Sequence, residues 1–228
     1  GQRAVLFADV MRRRGDVFLE HEAEGCPAVL VYDWEVVMDG AELPHPSNYV
    51  LLHILPPEGC VTHAWKRPYI IIDPRAGHGA GIGGFKPDSQ VGVALRDGHP
   101  VYFVVFHRDP EPGQTLADVT RTEAAFVREV MRRHPDAPNP VVAGNCQGGW
   151  ATLILAATNP DLTGPICLNG APVATWSGVV GENPMRYNAG VLGGAWVPMI
   201  LADLGHGVFD GAHLVANFEL LNPGRTMF

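Results

Sequence analysis

The stretch Val141-Val142-Ala143-Gly144-Asn145-Cys146-Gln147-Gly148-Gly149-Trp150 limits what this chain can fold into more than any other. A short apolar run ends in Gly-x-Cys-x-Gly and passes into Ala151-Thr152-Leu153-Ile154-Leu155-Ala156-Ala157, which holds no Gly or Pro. That order reads as strand, sharp turn, helix. Gly144 and Gly148, two before and two after the cysteine, let strand and helix approach without a Cβ clash. The helix then aims its first amides at Cys146, where they favour negative charge on a nucleophile or on a developing oxyanion. The plainer reading is a buried free cysteine in a Gly-rich turn. The apolar run before it, the helical pattern after it and the strand-like Pro165-Ile166-Cys167-Leu168 beyond favour a nucleophile elbow, with Cys in place of the usual Ser.

The rest of the chain supplies the scaffold such an elbow needs. Tyr69–Ile72 is a short buried strand, Ser89–Arg96 a short helix and Val101–Phe106 a strand. Leu116–Arg133 is a strong helix, opened by the Thr115-x-x-Asp118 capping pattern and closed by Arg132-Arg133-His134-Pro135. Strands alternating with helices predict a doubly wound, mostly parallel α/β sheet of the α/β-hydrolase type, with ligands beyond the carboxyl ends of the strands. Upstream, Ala28–Met38 reads as one long strand ending at the turn Asp39-Gly40. Tyr49–Leu55 is its antiparallel neighbour, stopped by Pro56-Pro57. Gln2–Glu20 predicts an amphipathic helix broken near Gly15, with Arg12-Arg13-Arg14 as a solvated face. From about Ala174 the pattern changes to a Gly-, Asn-, Trp- and Met-rich stretch without a clear strand. This divides the chain into a helical segment (1–25), an α/β core (26–173) and a cap or lid (174–228).

Composition excludes several classes. Lys and Arg number 16 against 24 Asp and Glu, a net charge of −8, which argues against nucleic acid or an anionic membrane as partner. No apolar run approaches the roughly 18 residues needed to span a bilayer, so no transmembrane segment is expected. The four cysteines, Cys26, Cys60, Cys146 and Cys167, lack Cys-x-x-Cys spacing, so neither a metal site nor a disulfide framework is expected. Cytoplasm is the natural compartment for a reactive thiol. Cys167, on an apolar strand, reads as inert core, and Cys26 and Cys60 as loop residues without chemistry.

A second constellation follows the strand ending at Ile72, in the loop from Asp73 to Phe85, rich in glycine. In an elbow fold this loop supplies one oxyanion-hole amide and the residue after the nucleophile supplies the other. The first is assigned to the Arg75 N–H, with Ala76 equally defensible, and the second to the Gln147 N–H. Asp73 and His78 are candidate pocket residues, although His78 could equally bond within its own loop. The pattern Gly79-x-Gly81-x-x-Gly84 also matches a dinucleotide fingerprint, but Asp73 to His78 separate it from the strand end and no helix follows promptly.

The box Gly144-Asn145-Cys146-Gln147-Gly148-Gly149 resembles the Gly-x-Cys-x-Gly-Gly box of poly(3-hydroxyalkanoate) synthases, α/β-hydrolase-fold enzymes that use a Cys nucleophile on hydroxyacyl-CoA thioesters. The likeness extends to a bacterial synthase-related branch. There, segments similar to Ile72–Gly79, Gly113-Gln114-Thr115, Gly144–Gln147 and Glu182-Asn183-Pro184-Met185-Arg186-Tyr187 occur in this order. The resemblance implies a Cys146 acyltransferase or thioesterase, with acyl-CoA as substrate and no further cofactor. It also implies a triad running Cys, Asp, His, the last two on strands after the cap. No Asp or His here follows a clear late strand. Asp203, His206, Asp210 and His213 cluster in the cap, where they form either a displaced triad or local turns. The chain therefore reads as the N-terminal part of a longer protein, with the acid–base pair outside it. It is expected to associate with the remainder of that protein or with a second copy. The rival expectation is a catalytically impaired, synthase-like scaffold or granule-associated binding protein that keeps the elbow for its shape.

Overall fold

The computed structural model describes residues 2–75, 81–174 and 196–211. Six strands, β1 (Trp34–Asp39), β2 (Tyr49–Ile54), β3 (Tyr69–Ile72), β4 (Val101–Phe106), β5 (Val141–Asn145) and β6 (Ile166–Asn169), form one sheet in the order β1-β2-β4-β3-β5-β6. β2 runs antiparallel to β1, with Val36 opposite Leu52, and antiparallel to β4, with Leu51 opposite Val104. From β4 to β6 all pairings are parallel. The parallel core behind an antiparallel edge, with an elbow after β5, is an α/β-hydrolase-type fold.

The short central strands read as continuous β-branched runs because both of their faces are covered. Alternation sends Ile70, Ile72 and Val142 to one face, with Phe126, Val127 and Val130 of helix α3 (Leu116–Arg133) and Leu155 of helix α4 (Gln147–Thr158). Ile71, Phe103 and Ala143 face the other way, against Val91 and Leu95 of helix α2 (Gln90–Arg96). Ser89 caps α2. Thr115 and Asp118 cap α3 reciprocally, as the sequence predicts.

Three expectations are corrected. Helix α1 (Gln2–Ala23) runs through Gly15 without a break. Arg12 pairs with Asp9 and Asp16, and Arg13 with Asp9; the Arg12–Asp16 pair spans the glycine and offsets part of its helix cost of about 1 kcal/mol. Strand β1 begins at Trp34 rather than Ala28. The preceding residues leave the sheet to cover the loop after β3: Val31 N–H donates to Gly84 O, Leu30 packs on the second core face, and the Tyr32 hydroxyl donates to Pro87 O. Cys167 is exposed, not core. Among the described residues nothing covers the outer side of β6, where Ile166 and Leu168 are 40% and 37% exposed. Most of the expected cap lies outside the described residues. Its described part is helix α5 (Trp196–Leu204) and the turns to Gly211.

Candidate active site

β5 ends at Asn145 and α4 begins at Gln147, so Cys146 alone makes the turn, at φ 51° and ψ −116°. A non-glycine residue at positive φ is strained by roughly 1–3 kcal/mol and persists only where its surroundings fix it. They do so here. Cys146 N–H donates to Asn169 O at 2.8 Å, and Cys146 O accepts from Gly149 N–H at 2.9 Å. The glycines are required by contact. A Cβ on Gly144 would collide with Gly148 O, and one on Gly148 would collide with Ile72 O. Helix α4 thus meets the ends of β3 and β5 backbone to backbone, and the loop leaving β3 lands beside the first residue of the helix.

The landing point carries the two assigned amides. Arg75 N–H donates to the Gln147 side-chain oxygen at 2.8 Å. The Gln147 N–H is the first of its helix and has no intrahelical acceptor. Ala76 and His78, the neighbouring assignments, lie outside the described residues. Asp73 is buried beneath this junction. Its carboxylate accepts from Gly81 N–H at 2.7 Å, Gly83 N–H at 3.2 Å and the Asn145 side-chain amide at 2.8 Å. Asn145 in turn exchanges hydrogen bonds with Gln90 and accepts one from Asn169. One polar network therefore ties the β3 loop to the residue before the nucleophile. Burial pushes the Asp73 carboxyl up from its usual range, and the Asn145 and glycine donors pull it partly back.

A cavity of about 690 Å³ opens on this junction, a volume suited to a small organic ligand. Arg75, Gln147 and Trp150 line it with Tyr49, Phe106 and the turns after helix α5, although Cys146 does not itself form part of the wall. Tyr49 is buried, and its hydroxyl faces the Arg75 guanidinium and the Gln147 side chain. Burial raises this phenol above its ordinary value, with a contribution from Glu123. It remains a protonated donor across the physiological range. Glu123, on α3 below Tyr49, is 1% exposed, and neither carboxyl oxygen has a hydrogen-bond partner among the described residues. Burial alone raises it to about 8.

Sequence reasoning missed Tyr49, Trp150 and Glu123. Glu123 carried a readable signal: it falls four residues after Val119 and four before Val127, on the apolar stripe of its helix. Of the cap cluster, Asp210 lines the cavity, while His206 takes a left-handed turn at φ 57° and does not. His213 lies outside the described residues. Among the described residues no histidine is hydrogen-bonded to Cys146, and no group of three or more His, Cys, Asp or Glu has the arrangement of a metal site. Gly81 and Gly84 of the dinucleotide-like pattern pack closely against Val29 and Leu30 of the chain itself.

The family model described as "Protein of unknown function (DUF3141)" matches residues 1–228. The chain belongs to this family. An uncharacterized protein in the ackA 5′ region of Rhizobium meliloti is 53% identical over 228 residues, the whole of this chain. The chain spans 31% of the length of that relative. Among solved structures, a probable hydrolytic enzyme from Pseudomonas aeruginosa PAO1 superposes with a TM-score of 0.43 at 12% identity, covering 63% of this chain and 43% of that one. The Francisella virulence factor BioJ gives 0.42 at 11% identity, over 69% and 50% of the two chains. A predicted CIB-like hydrolase from Thermoplasma acidophilum gives 0.41 at 14% identity, over 62% and 64%. Overlaps of this size add nothing to what the strand order establishes for this DUF3141 chain.

Proposed function

We propose that this chain carries the nucleophile of a Cys-dependent acyltransferase or thioesterase acting on (hydroxy)acyl thioesters, with chemistry similar to that of polyhydroxyalkanoate synthases. The observation that carries the reading is Cys146 itself, held in the strained elbow conformation at the head of α4 with the Arg75 loop against the next residue. Cys146 sulfur attacks the thioester carbonyl carbon. The Arg75 and Gln147 amides receive the oxyanion, each worth about 3–4 kcal/mol in comparable sites. Collapse of the tetrahedral intermediate expels the leaving thiol and leaves an acyl-cysteine, which water or an acceptor hydroxyl then discharges. In the ground state the Gln147 side-chain oxygen holds the place on the Arg75 N–H that the substrate oxygen takes during reaction.

Acyl-CoA is the natural donor, and a reducing compartment such as the cytoplasm suits the thiol. No described helix is long and apolar enough to cross a membrane. The competing reading is a scaffold that keeps the elbow for its shape. Incubation with 3-hydroxybutyryl-CoA, followed by proteolysis and mass spectrometry, separates the two. An acyl adduct on the Cys146 peptide, absent in Cys146→Ala, is the expected result. If no adduct forms and iodoacetamide alkylates Cys146 no faster than free cysteine, the scaffold reading stands.

A further inference from the structure

We propose that the acyl group accepted at Cys146 bears a carboxylate, and that the Arg75 guanidinium is its receptor. This rests on the acyl-transfer reading for the reaction, but not for the anion site. Two arginines line the cavity, and they differ. Arg108 is paired with Glu22 at 2.8 Å. Arg75, half-buried, has no carboxylate within ion-pairing distance among the described residues. It donates instead to a neutral acceptor, Asn48 Oδ1 at 3.2 Å, and lies 5.9 Å over the Phe106 ring. A half-buried guanidinium with five donors and no carboxylate partner among the described residues is poised for an anion, which it binds in a fixed fork.

The support behind Arg75 is built. Asn48 is fully buried, and each of its polar groups is used: its N–H donates to Gln114 Oε1 at 2.8 Å, and its side-chain amide to His107 O at 2.7 Å. Its Oδ1 also accepts from Gln114 Nε2 at 2.9 Å. Asn48 cannot turn away without leaving those groups unpaired, so the guanidinium is pre-positioned. The Tyr49 hydroxyl faces the same space and adds a neutral donor.

Location selects the class of anion. The residue whose main chain faces the reacting carbonyl is the residue whose side chain awaits a charge. The charge therefore sits within one arginine side chain of the scissile thioester. A short dicarboxylic monothioester meets that requirement. The phosphates of coenzyme A lie on the leaving group, separated from the thioester by the whole pantetheine arm.

The test measures Cys146 acylation by succinyl and butyryl thioesters of N-acetylcysteamine, which carry no phosphate, in the wild type and in Arg75→Gln. The ratio of the two rates is read, not either rate alone. The wild type is expected to prefer succinyl by roughly tenfold or more, the scale of one charge-assisted hydrogen bond. In Arg75→Gln the ratio falls to about one, while Arg75→Lys restores part of it. A wild-type ratio near one, or a ratio unchanged in Arg75→Gln, overturns the proposal. So does an Arg75-dependent preference that appears only with coenzyme A thioesters, which assigns the anion to the leaving group. A second arm needs no chemistry at Cys146. Succinamate and butyramide are titrated onto both proteins by ligand-observed NMR. Arg75-dependent binding of succinamate alone upholds the anion site even if no acyl-enzyme forms, and equal binding of the two ligands overturns it.

Discussion

Asp73 and Glu123 are both buried carboxyls near the junction of the β3 loop with helix α4, and each is 1% exposed. Asp73, under the β3 loop, accepts from two glycine amides and from Asn145. Glu123, under Tyr49 on α3, accepts from nothing described. Burial raises both, but only Asp73 has donors that favour its charged form. The comparison separates two uses of a buried acid. Asp73 is a tether whose hydrogen-bond donors offset part of the cost of burying it. Glu123 is kept protonated, and its ionisation works against the fold.

The largest effect should come from removing the titration at Glu123. Its proton is bound more tightly in the folded protein, with a value near 8, than at the ordinary 4.5. Its contribution to stability is therefore complete below about pH 4.5 and is lost as pH rises to about 8. At about 1.4 kcal/mol for each pH unit, the loss is on the order of 5 kcal/mol. Glu123→Gln does not titrate. Urea unfolding of the two proteins should match near pH 4 and diverge steadily in favour of the variant until about pH 8. Parallel curves across that range would mean that Glu123 finds a partner and that the contrast with Asp73 is false.

Asp73→Ala comes next. It strips the acceptor from at least three buried donors, each costing about 1–3 kcal/mol when left unpaired, with some relief from entering water. A loss of about 3 kcal/mol in urea unfolding is expected, with Cys146 acylation falling further because the Arg75 loop loses its tie to Asn145. Asp73→Asn keeps one acceptor oxygen and should lie between. If Asp73→Ala acylates at the wild-type rate, the tether does not set the oxyanion geometry.

These contrasts show what was legible in the sequence. The elbow and the capped helix α3 were, because Gly144, Gly148, Thr115 and Asp118 act within a few residues of what they shape. The central strands were, because Tyr69–Ile72 and Val101–Phe106 are apolar runs bounded by turn residues. The Ala28–Asp33 error has the opposite cause. Its apolar residues fit a strand equally well, and only the position of the distant Gly81–Gly84 loop decides that they cover it instead. Likewise Asp73 meets Asn145, and Arg75 meets Gln147, across 72 residues of chain. No local pattern encodes such meetings. They turned a pocket candidate, Asp73, into a tether and revealed that an expected oxyanion donor is occupied.

A smaller effect tests the elbow without touching either acid. Cys146 is held at positive φ by its neighbours, and glycine adopts that conformation without strain. Cys146→Gly should abolish acylation while raising stability by about 1 kcal/mol. Cys146→Ala should abolish acylation with little change in stability. A large destabilisation in both would make Cys146 a packing residue and weaken the catalytic reading.

The smallest expected effect concerns a group that is neither tethered like Asp73 nor orphaned like Glu123. The Arg75 N–H has a partner, but an exchangeable one: the Gln147 side chain, which Tyr49 also faces and which lines the open cavity. A substrate oxyanion must displace that side chain before the amide can hold it. Gln147→Ala leaves the Gln147 position's own N–H in place and removes only the competitor. If the glutamine acts as a stand-in for substrate, Cys146 acylation by a neutral thioester should rise about threefold, the scale of one weak neutral hydrogen bond no longer broken. If it instead holds the Arg75 loop in register, the same variant should slow acylation by tenfold or more and should mimic Asp73→Ala. The sign of the change therefore decides which side of the comparison Gln147 belongs to. Gln147→Glu sharpens the answer, since an anion on the Arg75 amide would be displaced less readily and should slow the reaction only under the first account.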